Sequence, residues 1–147
     1  MQTHNLAGGK MFGAQSADES LERCAGVERF CHLWKRDVYA FCRAFLGDER
    51  AAEDATYEVL VAAYRRVCSS SLDKVPGAEI IAIAFQANRH REPLHPRASR
   101  GGSSLDRAIL RLPVTERAVL IARNLLRMDL ESVAHATGLS ATQAHKC

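Results

Sequence analysis

Three kinds of side chain in this 147-residue chain could do chemistry: five cysteines, six histidines, and acids and bases sorted into different stretches. Cys31 and His32 are adjacent and invite a thiol–base or metal-ligand reading. Neighbours on a helix point about 100° apart, which serves neither role, so helix filler is the better expectation. His90 and His95 have no companions at zinc-module spacing, and no metal is expected. No Gly-rich phosphate loop, HExxH or GxSxG occurs, so neither a cofactor nor catalysis is expected. The cysteines (Cys24, Cys31, Cys42, Cys68 and Cys147) form no CxxC pair. Their odd number argues against a closed disulfide framework, and a reducing cytoplasm fits best.

Charge is the second signal. Residues 18–68 carry ten acidic and eight basic side chains, whereas 69–147 carry seven acidic and eleven basic ones. An acidic front suits a protein partner and a basic back suits an anion, although two solvated surfaces would look the same. Hydrophobic content of 47% with 25% charged residues excludes global disorder. The first twenty residues hold no apolar run, so neither a signal peptide nor a membrane anchor is expected there.

The elements that must position these groups are helical. Val27, Phe30, Cys31, Trp34, Val38, Phe41, Cys42 and Phe45 recur every three or four positions, giving one long amphipathic helix. Gly47 fits the residue past its end and Asp48 can cap a second helix, about 49–67. Ala52, Ala55, Val59 and Ala62 or Ala63 predict close antiparallel packing on the first. A third helix, about 78–91, is apolar through Ile80, Ile81, Ala84 and Ala87 and ends basic. "EPLHPRASRGGSS" reads as a linker. Short helices follow near 106–111, from Pro113 to about Arg127, and after Asp129. The fold class is all-α, in two small helical domains joined by a flexible linker. The expected division is a flexible lead over 1–19, a bundle over 20–92, a linker over 93–104 and a helix-turn-helix over 105–147.

The last pair of helices is the most specific signal. Leu130, Val133 and Ala134 supply an apolar face, Gly138 a turn, and Ser140 with Gln143 a capping box. That is the geometry of a helix-turn-helix, whose second helix enters the major groove of DNA by its N-terminal end. An αα-hairpin used only for packing is the plainer alternative. Thr142, Gln143, His145 and Lys146 are the side chains placed to reach a groove.

In order, these segments resemble a bacterial RNA polymerase sigma factor of the extracytoplasmic-function type, in the sigma-70 family. "FCHLWKRDVYAFCRAFLGDERAAEDATYEVLVAAYRR" and "AEIIAIAFQANRHRE" are similar to the family's region 2. "LDRAILRLPVTERAVLIARNLLRMDLESVAHATGLSATQ" is similar to its region 4. The resemblance covers about residue 20 to the end and implies a cytoplasmic protein that directs core RNA polymerase to promoter DNA. It implies polymerase binding through Glu53, Asp54, Tyr57 and Glu58, and DNA contacts from Arg65, Arg66, Lys74, Asn88, Arg89 and Arg91. An anti-sigma factor is a further implied partner. The acids also suit the plainer role of favouring a helix N-terminus.

Two departures accompany the resemblance. The third-helix segment carries Phe85 as its one aromatic, where the family uses several to hold opened bases. The last helix stops at Cys147, and the expectation is a shortened C-terminal end. The alternative is a sigma-like interaction protein that binds an anti-sigma factor or polymerase without reading promoters. A small helix-turn-helix repressor is a third reading, which leaves the front half without a task.

Overall fold

The computed structural model describes residues 12–67, 76–91 and 102–147. Among them it is all-α: α1 (Phe12–Leu46), α2 (Glu49–Val67), α3 (Gly77–Asn88), α4 (Ser104–Leu110), α5 (Val114–Leu120), α6 (Leu130–Thr137) and α7 (Ala141–Lys146). Helix α1 begins at Phe12, inside the stretch expected to be a flexible lead. A π-helical turn, Ile121–Leu125, extends α5. No helix among the described residues is long and apolar enough to cross a membrane.

The sequence pattern explains the front bundle. Phe30, Val38, Phe41, Cys42 and Phe45 form the buried stripe of α1, while Val27 at its edge is 38% exposed. Ala52, Ala55, Val59 and Ala63 bring α2 against it, and small side chains let the two helix axes approach closely. The connection is short because Gly47 takes a left-handed φ of 75° and Asp48 accepts a 2.7 Å bond from the Ala51 amide, capping α2. An aromatic ladder fills the centre: Phe41 stacks on Phe45, and Phe45 meets Phe85 of α3 edge-on.

Helix α3 is the central element. Ile80, Ile81, Ile83, Ala84 and Phe85 are all buried, so it is apolar around most of its circumference. A helix of that kind must be covered on more than one side. Helices α1 and α2 cover one side and α6 covers another. The C-terminal helices therefore share a core with the front bundle: Ala118, Ile121 and Ala136 join Phe30, Phe45 and Ile80 in one buried cluster. This cluster draws on both stretches expected to form separate domains, 20–92 and 105–147. The connecting residues 92–101, most of the expected linker, lie outside the described residues.

One side chain shows how firmly the halves engage. Arg117 of α5 is 4% exposed and donates to the carbonyls of Phe45 (3.2 Å), Leu110 (3.0 Å) and Leu112 (3.0 Å). Its guanidinium also lies 5.1 Å from the centre of the Phe45 ring. Phe45 is in the last turn of α1, where carbonyls lack helical partners and the dipole favours a cation. Burial lowers the pKa of Arg117. Leu110 of α4 closes the same corner, 2.4 Å from where a side-chain carbon on Gly47 would stand.

Candidate interaction surfaces

Two surfaces hold the expected site residues. On the outer face of α2, Glu53, Asp54 and Tyr57 are exposed, Tyr57 at 73%. Glu53 and Tyr57 border a largely apolar groove of about 600 Å³ between α1 and α2, lined also by Cys31, Lys35, Tyr39 and Leu60. A tyrosine left this open beside an apolar groove and two carboxylates is a composition suited to a protein partner. Glu58 is different, because it pairs with Arg91 beyond the end of α3. One residue expected to face polymerase and one expected to face DNA thus bond to each other.

The basic residues are likewise divided. Arg65 is exposed. Arg66 pairs with Glu79 at 3.2 Å. Arg89 is exposed and bonds Gln86 and His90, both at 3.2 Å. Lys74 lies outside the described residues. Asn88 corrects its expected role: it is fully buried, donating to the Ala84 carbonyl at 2.8 Å and lying 3.7 Å from the Cys42 sulfur. It is a polar tie inside the bundle and has no path to DNA in this packing. Burial among these groups pushes the Cys42 thiol up to about 11, so it stays protonated at neutral pH.

Two short capped helices joined by a turn, α6 and α7, close the C-terminal end. Asp129 accepts from the Ser132 amide at 2.8 Å and caps α6, and those bonds to Ser132 lower its carboxyl pKa. Gly138 makes the turn with φ 72°. Ser140 and Gln143 form the expected capping box, at 3.0 and 3.2 Å. Val119, Ala122, Val133, Ala134 and Ala144 make a small second core that seats α7 on α6. Thr142, Gln143, His145 and Lys146 are exposed, though the Gln143 side-chain oxygen is occupied by the cap. Among the described residues no cluster of three or more His, Cys, Asp or Glu could hold a metal.

The sequence reading missed the seam between the halves. Glu79 of α3 pairs with Arg66 of α2 and, at 3.1 Å, with His135 of α6. Trp34 of α1 lines a cavity of about 260 Å³ together with Gly77 and Ile81 of α3 and Leu126, Met128 and Asp129 from the loop before α6. Its indole N–H is buried without a hydrogen-bond partner among the described residues. One signal could have found this seam: the isoleucines at 80, 81 and 83 cannot all face a two-helix layer. The sequence matches no protein-family model, and no curated protein sequence matches it significantly.

Proposed function

We propose that this protein is a sigma-like transcription factor of the cytoplasm. It binds core RNA polymerase through the outer face of α2 and promoter DNA through the basic end of α2 and α3 and through α7. The observation that carries this reading is the pairing of an exposed acidic–tyrosine face on α2 with a capped helix-turn-helix in one chain. Glu53, Asp54 and Tyr57 provide the polymerase contact, with charge setting orientation and encounter rate more than affinity. Arg65, Arg89 and Lys146 supply phosphate contacts, and Thr142 and His145 reach the groove.

A second reading is favoured by a specific observation. Helix α3 is covered by α6, and two of its neighbouring arginines are engaged with carboxylates. A chain packed in this way would serve as an interaction protein that occupies polymerase or an anti-sigma factor without reading promoters. Co-purification together with a promoter-dependent transcription assay separates the two. The protein is expected to retain core polymerase, and Glu53→Arg with Asp54→Arg is expected to reduce retention at least tenfold while circular dichroism stays unchanged. Unchanged retention by the folded double variant removes α2 as the docking face. Retention of polymerase without any promoter-dependent transcription selects the second reading.

A further inference from the structure

Arginines recur along the outer side of α1 at a fixed step: Arg29, Arg36 and Arg43. Seven residues fall only about 20° short of two full turns, so the three stand in one nearly straight row about 21 Å long. The aromatic stripe of Phe30, Phe41 and Phe45 faces the core from the other side of the helix. Arg29 and Arg36 are exposed, and Arg43 is half-buried. His32, Leu33 and Ala40 fill the row between them, with Leu33 50% exposed.

A helix face that is merely solvated interleaves acids and bases three or four positions apart. Around Arg29, Arg36 and Arg43 no residue three or four positions before or after is acidic. Glu28 and Asp37 stand next to Arg29 and Arg36 in sequence, but adjacent helical residues point about 100° apart. Among the described residues no carboxylate pairs with any of the three, whereas Arg23, Arg66 and Arg91 each hold one. Their donors are left for an anion from outside the chain.

We propose that this row is a contact for the phosphate backbone of duplex nucleic acid. The guanidinium fork matches phosphate oxygens two at a time, and phosphate contacts carry no sequence information. The helix is fixed to the core by its aromatic stripe, so the cations keep steps of about 10.5 Å and suit a rigid, regular array of charge. No aromatic side chain lies in the row, so the bases of a single strand would find nothing to stack on. An anionic membrane fits less well, because a surface helix inserts a broad apolar face. That face of α1 is buried, which leaves Leu33 as the large apolar side chain on this side. The inference goes beyond the reading above, which places DNA on α2, α3 and α7, and it needs neither polymerase nor a promoter.

The test titrates the full-length protein with a fluorescently labelled 30-base-pair duplex of mixed sequence, read by anisotropy at several salt concentrations. Each phosphate neutralised contributes about 0.9 to the log–log salt slope. Arg29→Gln with Arg36→Gln is expected to lower that slope by about 1.8 and to weaken binding at least tenfold at about 0.1 M salt, with circular dichroism unchanged. Arg123→Gln with Arg127→Gln removes the same formal charge from exposed residues ahead of α6 and is expected to change the slope less than half as much. Should the α1 variant lose its helical signal, Leu33→Glu takes its place. It sets a carboxylate four positions after Arg29 and three before Arg36, a competitor for both, and is expected to lower slope and affinity together.

An unchanged slope in the folded α1 variant, or in Leu33→Glu, overturns the inference. If Arg65→Gln with Arg89→Gln then loses binding, the DNA contacts of the reading above stand without it. Loss in the α1 variant with Arg65→Gln and Arg89→Gln unaffected upholds the row and removes those contacts instead. Equal losses from the α1 variant and the Arg123–Arg127 variant overturn the inference, since net charge would explain both. So does a protein that ignores the duplex yet binds vesicles of phosphatidylserine and phosphatidylcholine through Arg29 and Arg36. Absence of binding to either overturns this inference and the DNA-binding reading together.

Discussion

Replacing Arg117 by methionine tests whether the C-terminal helices belong to the same folded unit as the front bundle. Methionine keeps the length and the contact with Phe45 but removes every donor. Three carbonyls, on Phe45, Leu110 and Leu112, then lose their partner. A buried acceptor left unsatisfied costs about 1–3 kcal/mol. The sum is offset in part because a desolvated cation is no longer held in the interior, the same burial that lowers the arginine's pKa. A net loss of about 3 kcal/mol is expected. For a chain of this length that corresponds to a fall in Tm of about 6–12 °C. Thermal and urea unfolding followed by circular dichroism provide the measurement, with Arg117→Lys recovering part of the loss because a single ammonium cannot span three carbonyls. A loss below about 0.5 kcal/mol, the size of a surface substitution, would refute the reasoning. Arg117 would then be hydrated, and the C-terminal helices would not be seated on the end of α1.

Two further outcomes follow from the caps and turns. Gly47→Ala must hold a left-handed φ of 75° and place a methyl 2.4 Å from Leu110 Cδ1. About 2 kcal/mol of destabilisation is expected, and Leu110→Ala in the same chain should relieve the steric share; strictly additive losses in the double variant would count against the contact. Asp129, whose pKa lies below the ordinary 3.8 because it accepts bonds from Ser132, stabilises α6 more when ionised. Because the folded-state value is the lower one, that stability is complete above the unfolded value and is lost as pH falls through the folded value. The gap in Tm between the protein and Asp129→Ala should therefore be full at pH 6 and shrink below about pH 4; a gap that does not change with pH would show that the cap carries no charge.

Local structure was written in the sequence because it depends on neighbours a few positions away. The stripe of Phe30, Val38, Phe41 and Phe45 specified α1, Gly47 and Asp48 specified the turn into α2, and Ser140 with Gln143 specified the start of α7. Glu53, Asp54 and Tyr57 lie off the stripe of Ala52, Ala55 and Val59, and helical period turns them outward. Partner choice over long separations was not legible. Nothing near Glu79 indicates that it meets Arg66 and His135, and nothing near Arg117 indicates that it reaches the carbonyl of Phe45, 72 positions away. The resemblance implies a DNA contact at Asn88, yet its place on the buried side of α3 makes it a core tie. The physical reason is that an apolar helix states that it must be covered without stating by what. Ile80, Ile81 and Ile83 required a second covering layer. Only the tertiary structure decided that α6 provides it, and with that choice fixed which charges stay free on the surface.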